Sequence, residues 1–452
     1  SNSIEMVELM FGAGKAGVSV VPLNVSVSDA AVAAMLADSG PSAVAASGEH
    51  CARIDALGGT RAARRIGLDV PSGGGWLDFA SWRDAHPANA PEVRIGAGDE
   101  CNIIYSSGTT GLPKGIVHTH GCRLNWATDL GLALRYHSGA VTVCSVGLYS
   151  NIMWASMLAT LLLGGTLVVL PSFSPAALLD AIERHRVTHG AFVPVQLQRL
   201  LDADRSGRDL GSLQTLMCCG SPLPPAVKRA IPRALGCALI ELYGLTEGLI
   251  TTLDPEDLDR KPDSVGRPIP GQRLEILGED DRPVQPGLPG EIVGLGRLTM
   301  LGYHNRADAT AEATWVDPQG RRWLRTGDIG RCDDEGFLYL VDRKKDMILS
   351  GGQNVYPADL EAVLAGHAEV AEVAVIGIPD ERWGETPLAL VVARPGSPLQ
   401  AGAAGQLEAL RQWANARLGR QQRIAALRLV ESLPRNPNGK ILKRELRKAF
   451  AP

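Results

Sequence analysis

An excess of positive charge is missing from this chain: 45 Lys and Arg stand against 49 Asp and Glu over 452 residues, a formal net charge of −4. A duplex binder needs a large basic surface to displace counterions, so no nucleic-acid partner is expected and any anionic ligand must be held by local cations. Cys-x-x-Cys spacing is also missing from the eight cysteines. The adjacent Cys218 and Cys219 make a poor tetrahedral zinc corner, and the thiols read as reduced, small core residues of a cytoplasmic protein. No signal peptide is visible at Ser1, so secretion has no support, although the chain lacks an initiator Met.

Charge of either sign is absent from residues 138 to 171, and the stretch IMWASMLATLLLGGTLVVL (152 to 170) is long and apolar enough to span a bilayer. Gly164-Gly165 divides it, however, into a helix of ordinary length and a short Leu/Val strand. A buried core segment, and no transmembrane segment, is expected.

What is present suits a soluble α/β protein: 45% apolar residues, 21% charged residues and 51 glycines. The length calls for two or more hydrophobic cores. Up to about residue 240, helical stretches alternate with short apolar strands: DAAVAAMLADS before SAVAAS, PAALLDAIERHR before HGAFVPV, PPAVKRAIPRAL before ALIELYG. That alternation predicts parallel sheets covered by helices. Between about 264 and 340 the strands are short and broken by Gly and Pro, as in a small β-rich subdomain. The charged run DRKKD (342 to 346) separates two apolar strands. The division expected is an N-terminal domain over 1–344 and a smaller α+β C-terminal domain over 345–452. Residues 411 to 448 hold eleven Lys or Arg against two Glu, either a solvated helix surface or a basic edge for polyanionic ligands.

The sharpest local signal is YSSGTTGLPKG, residues 105 to 115, just after the apolar Ile103-Ile104. Ser, Thr and Gly let backbone N–H groups and hydroxyls crowd around phosphate oxygens, and Lys114 adds a point charge. Pro113 and Gly115 stand where the Walker pattern needs Gly and Ser/Thr, so a P-loop ATPase is disfavoured. Gly12-Ala13-Gly14-Lys15-Ala16-Gly17 satisfies G-x-G-x-x-G, but a helical stretch precedes it and a strand follows, the reverse of a dinucleotide fingerprint.

The 105–115 loop, Tyr243-Gly-Leu-Thr-Glu247, Arg325-Thr-Gly-Asp328, Asp342-Arg-Lys-Lys-Asp346 and Asn438-Gly-Lys440 occur in the order seen in the adenylate-forming superfamily. That superfamily includes acyl-CoA synthetases, peptide-synthetase adenylation domains and firefly luciferase. The chain resembles it along nearly its whole length, with the family's opening strand-and-helix stretch missing before Ser1. The resemblance implies roles position by position. Ser106, Ser107, Gly108, Thr109, Thr110 and Lys114 would hold the β- and γ-phosphates of ATP. Tyr243 and Gly244 would meet one side of adenine, and Gly220, Ser221 and Pro222 the other. Thr246 and Glu247 would bind a phosphate oxygen and Mg²⁺, a hard ion suited to carboxylate. Asp328 would accept the ribose hydroxyls, and Arg343 would reach the ribose and α-phosphate. Lys440 would carry catalysis of adenylation by meeting the charge that develops on the α-phosphate. Lys345 would be the hinge of a mobile C-terminal domain.

Three features favour CoA as the acyl acceptor. No carrier domain follows Lys440, residues 148 to 151 (LYSN) lack the Asp that holds an amino-acid ammonium group, and GIPDERWGE (377 to 385) and GKILKREL (439 to 446) resemble acyl-CoA synthetases. Tyr149 stands where many relatives carry His, and with Cys218, Cys219 and Leu245 it is expected to line the acyl pocket. No Arg or Lys is visible there to fix a second carboxylate, so a monocarboxylic fatty or aromatic acid is expected. The expected ligands are that acid, ATP, Mg²⁺ and coenzyme A, with the oligomeric state open to a homodimer. A luciferase-like oxygenase, a carrier-protein acylating enzyme or a non-catalytic acyl-AMP-binding protein are the rival readings.

Overall fold

Local capping decides where the alternating helices begin and end. Ser28 accepts a hydrogen bond from the Ala31 amide at the head of helix Asp29–Ser39, and left-handed Gly40 closes it. Ser174 does the same for Pro175–His185, where proline at the first turn costs no hydrogen bond. The computed structural model describes residues 2–58, 62, 64–106, 113–350, 353–381, 383–401, 404–419, 422–435 and 439–450. Two compact units result, one of residues 1–274 with 294–324, the other of 275–293 with 325–452.

In the first unit, among the described residues, seven strands pair in the order Arg267–Pro268, Ile250–Leu253, Ala238–Gly244, Thr215–Cys218, His189–Phe192, Val141–Cys144 and Thr166–Val169. The five from Ala238–Gly244 onward are parallel, and Ile250–Leu253 and Arg267–Pro268 join antiparallel. Helices His120–Ala133 and Asn151–Leu162 close over this sheet through Trp126, Leu130, Leu134, Ala155, Ala159, Met217 and Ile240. Each large side chain so buried contributes about 1.5–3 kcal/mol. Strands Glu100–Ser106 and Lys114–Thr119 form an antiparallel pair, with Gly302–Tyr303 beside the latter. A smaller parallel sheet joins Ala43–Ala46, Arg64–Gly67 and Leu77–Asp78.

The uncharged stretch becomes helix Asn151–Leu162 and strand Thr166–Val169. Gly164 breaks it at φ +81°, and a Cβ on Gly165 would lie 2.6 Å from the Ala140 carbonyl oxygen. Among the described residues no helix is long and apolar enough to cross a membrane. The G-x-G-x-x-G match lies at the end of helix Ile4–Lys15, with Gly17 at φ +71° just beyond, as its reversed context predicted.

In the second unit, strands Val370–Asp380 and Gly384–Ala393 form a long antiparallel pair, extended by Ile348–Ser350, Gln353–Val355 and the parallel Ala426–Leu429. Helices Pro357–Ala365 and Ala404–Asn415 pack on it through Leu360, Leu364, Leu410 and Ala414. Within the same unit, the later part of strand Arg322–Cys332 pairs antiparallel with Leu338–Arg343.

Candidate active site

Ligands of open α/β sheets bind beyond the carboxyl ends of parallel strands. Three of the segments singled out in the sequence lie there. The turn at Tyr149 follows strand Val141–Cys144, Gly220-Ser221-Pro222 follows Thr215–Cys218, and Thr246-Glu247 follows Ala238–Gly244. Gly220 takes φ +99°, open to glycine and strained for other residues. The Tyr149 ring packs on Gly147, where an added Cβ would fall 2.2 Å from it, and burial pushes the Tyr149 phenol up. Cys218 and Cys219 are both buried; burial pushes the Cys218 thiol well up and the Cys219 thiol up to about 12, so neither is a reactive thiolate.

Backbone closure shapes the Leu245–Leu249 turn. The Leu245 amide donates to the Leu249 carbonyl and the Gly248 amide to the Leu245 carbonyl, both at 3.1 Å. Gly248, at φ +135°, admits no side chain, because a Cβ would sit 2.5 Å from Thr299 Cα. The Met300 amide donates to the Glu247 carbonyl at 2.8 Å and the Tyr303 hydroxyl to Glu247 Oε1 at 2.9 Å. Lys114 Nζ lies 4.9 Å from the centre of the Tyr303 ring, so Lys114 and Glu247 share one aromatic support. Ser106 and Lys114 are paired across the hairpin; Ser107, Gly108, Thr109 and Thr110 lie outside the described residues.

Sequence reasoning missed three supports here. Tyr303 is one. Lys228, from helix Pro225–Leu235, forms a buried ion pair with Glu241, whose Oε1 also accepts from the Leu223 amide at 3.3 Å, directly after the Gly220–Pro222 turn. His118 Nε2 lies 2.8 Å from the Thr246 carbonyl oxygen. A glutamate inside the apolar run ALIELYG was the visible signal for the second of these; a histidine in the alternating GIVHTH signals the third.

In the second unit Asp328 and Arg343 face each other across a strand pair, with Arg343 Nε 3.2 Å from Asp328 Oδ1. Thr326 Oγ1 donates to the Ile292 carbonyl at 2.7 Å and accepts from the Asp328 amide at 3.1 Å, while Gly327 turns at φ +67°. Lys440 lies close enough to feel both. Burial and then the Arg343 charge push its ammonium down to about 8, opposed by Asp328. Lys345 is exposed in a turn closed by the Asp346 and Met347 amides on the Arg343 carbonyl. Part of the basic C-terminal run is already paired: Lys443 with Glu361, Arg447 with Asp346 and Arg435 with Glu372.

Residues 1–304 match the AMP-binding enzyme family, and residues 359–440 match the AMP-binding enzyme C-terminal domain. The chain belongs to the adenylate-forming, AMP-binding enzyme family. Among its relatives, a feruloyl-CoA synthase from Amycolatopsis sp is 37% identical, covering 98% of this chain and 86% of that protein. The long-chain-fatty-acid–CoA ligase FadD13 of Mycobacterium tuberculosis is 34% identical over 100% of this chain and 87% of its own. The amide bond synthetase McbA from Marinactinospora thermotolerans has the same fold at a TM-score of 0.86 and 28% identity, covering 100% of this chain and 88% of that one. AMP-binding enzymes thus account for the order of motifs and for the pairing of a large α/β portion with a smaller C-terminal one.

Proposed function

We propose that this chain is an AMP-forming acyl-CoA synthetase that activates a monocarboxylic fatty or aromatic acid with ATP and passes the acyl group to coenzyme A. The observation that carries the reading is the grouping of Lys440 with the strand partners Asp328 and Arg343, about a hundred residues earlier in sequence, near enough for both charges to act on the Lys440 ammonium. In adenylation the substrate carboxylate oxygen attacks the α-phosphorus, the bond to the bridging oxygen breaks, and pyrophosphate leaves with the electron pair. Negative charge grows on the α-phosphoryl oxygens, where Lys440 and Arg343 supply opposing charge. With its ammonium at about 8, Lys440 is still mainly protonated at neutral pH. In the second half-reaction the CoA thiol, as thiolate, attacks the acyl carbonyl carbon and AMP departs.

Asp328 accepts from the ribose hydroxyls, Tyr243 and Gly244 meet adenine opposite Gly220, Ser221 and Pro222, and Ser106 and Lys114 serve the β- and γ-phosphates with Ser107, Gly108, Thr109 and Thr110. The residues present fit Mg²⁺. Glu247 and Thr246 offer hard oxygen donors, the kind suited to an ion that takes one or two carboxylates plus substrate phosphates. Bound there, Mg²⁺ would neutralise phosphate charge.

The names of the feruloyl and fatty-acid ligases support an acid of either type. All eight cysteines are unpaired, which suits a reducing compartment such as the cytoplasm. We assign 1–344 as the N-terminal AMP-binding domain and 345–452 as the mobile C-terminal domain, hinged at Lys345. The test is AMP release from ATP across a panel of aliphatic and aromatic acids, with and without CoA. AMP release that needs both an acid and CoA supports the reading, and its absence for every acid overturns it. A non-CoA acceptor is the second reading, supported by the likeness to the amide bond synthetase; acyl-adenylate that turns over with an amine and ignores CoA would select it.

A further inference from the structure

Arg123 is 3% exposed in helix His120–Ala133 and, among the described residues, is paired with no carboxylate. Its Nε donates to Asn102 Oδ1 and its Nη1 to Asn151 Oδ1, both at 2.7 Å, and its Nη2 lies 3.2 Å from His118 Nδ1. The guanidinium also sits over Trp126 and Trp154, 5.5 and 5.1 Å from the ring centres. Removing a cation from water without a counter-ion is costly, so the interactions it makes here must compensate. Burial lowers the Arg123 pKa to about 10, yet the group remains charged near neutrality.

That charge fixes the imidazole. Arginine only donates, so Nδ1 of His118 must accept; a carbonyl only accepts, so Nε2 must carry the proton towards Thr246 O. The two demands name the same neutral tautomer and the same ring orientation. Burial and the Arg123 charge both push the His118 pKa well down, in agreement with that tautomer. The ring is completely buried, edge-on to Trp126 with centroids 6.0 Å apart.

We propose that His118 is a positioning residue that holds the Thr246 carbonyl, and with it the Thr246-Glu247 turn, in the geometry needed for Mg-ATP, and that Arg123 sets the ring's orientation. The proposal rests on the reading that this turn serves phosphate and metal. Arg123 extends the same network to Asn151, two residues beyond Tyr149, so one buried cation braces both the turn at the phosphates and the segment at the acyl group.

The experiment is acid-dependent pyrophosphate exchange with Mg-ATP varied, on the full chain. His118→Leu removes the donor while keeping a buried apolar side chain. It is expected to raise KM for Mg-ATP about tenfold, the effect of losing roughly 1.4 kcal/mol of binding, with a smaller loss of kcat and little change in KM for the acid. His118→Gln, whose amide nitrogen can take the place of Nε2, is expected to recover most of the loss. A merely structural histidine would lower thermal stability without separating Leu from Gln in KM, and that outcome overturns the proposal. Should the Leu variant not fold, Gln is compared with His118→Asn, whose shorter amide cannot reach Thr246; equal KM values then count against the proposal. Glu247→Gln is measured alongside. If it is unimpaired, the assignment of the turn fails and the proposal fails with it; if it is impaired while His118→Leu keeps a normal KM, only the proposal falls.

Discussion

In the first unit, the turn carrying Thr246 and Glu247 is held by backbone closure, by Gly248, which admits no side chain, and by the neutral donors His118 and Tyr303. In the second, Asp328, Arg343 and Lys440 are framed by other charges: Lys344 on Glu291, Arg447 on Asp346, Arg435 on Glu372. The contrast fits the tasks proposed for the two sets. Groups that grip unchanging parts of a ligand gain from stiff sheet-edge geometry, whereas a cation needed in one half-reaction gains from a framework of partly exposed ion pairs, each worth only about 0–1 kcal/mol. Lys440 itself sits beyond Gly439, at φ +80°, in a loop closed by the Leu442 amide on the Pro434 carbonyl and Arg435 Nη1 on the Gly439 carbonyl.

The largest expected effect separates the half-reactions. Lys440→Ala should lose acyl-adenylate formation by several orders of magnitude, since one well-placed electrostatic donor is worth roughly a hundredfold or more. It should still convert supplied acyl-AMP and CoA to thioester, and an equal loss in both steps would remove the assignment. The sign of the pH effect follows from the lowered pKa: the charged, working form is lost as pH rises through about 8, so kcat/KM for adenylation should fall above that pH. Lys440→Arg, always charged, should flatten this limb even where its overall rate is lower.

Breaking one buried pair should show how differently the two units are held. Lys228 and Glu241 are 4% and 5% exposed, and Lys228→Met leaves a buried carboxylate alone, at a cost of about 3–5 kcal/mol. Lys443→Met removes a less buried pair, Lys443 with Glu361 at 14% and 23% exposure, and should cost about 1 kcal/mol or less. Urea titration of both variants gives the comparison. The double variant Lys228→Met with Glu241→Leu should recover much of the first loss, because it removes the stranded charge.

Much of the first unit could be read from the sequence because its chemistry sits where helical and strand patterns meet. Caps such as Ser28 and Ser174, the Gly164-Gly165 break and the strand ends at Cys218 and Gly244 are all local signals. What could not be read depends on pairings across distance. Arg123 looks like a solvent-facing helix residue until Asn102 and Asn151 are brought to it, and Glu241 looks like an irregularity in a strand until Lys228 arrives from the neighbouring helix. The grouping of 275–293 with 325–452 follows from tertiary contact, whereas the charged run at 342–346 marked a different boundary in the sequence.

The proposed hinge can be tested without removing a hydrogen bond. The Arg343–Asp346 turn is closed by the Asp346 and Met347 amides, not by that of Lys345, so Lys345→Pro alters φ freedom rather than the closure itself. If residues 345–452 must change pose between half-reactions, pyrophosphate exchange should survive within about tenfold, roughly 1.4 kcal/mol on a barrier, while thioester formation falls much further. Parallel loss or parallel survival would show that Lys345 is no hinge.

The smallest expected effect concerns the acid. Tyr149 lies after the carboxyl end of strand Val141–Cys144, packed on Gly147 and largely shielded from water, so its ring occupies space rather than carrying charge. Truncation to Ala would enlarge an apolar space, and each methylene gained by a longer substrate there is worth about 1–3 kcal/mol in kcat/KM. Tyr149→Ala should therefore shift preference towards bulkier or longer acids while leaving the KM for Mg-ATP nearly unchanged, because the ATP phosphates are assigned to Lys114, Thr246 and Glu247. The decisive measurement is the ratio of kcat/KM values for a short and a long acid in the two enzymes. An unchanged ratio takes Tyr149 out of the acyl pocket; a changed ratio with a raised KM for Mg-ATP would mean instead that the Asn151–Arg123–His118 connection transmits the substitution to the Thr246-Glu247 turn.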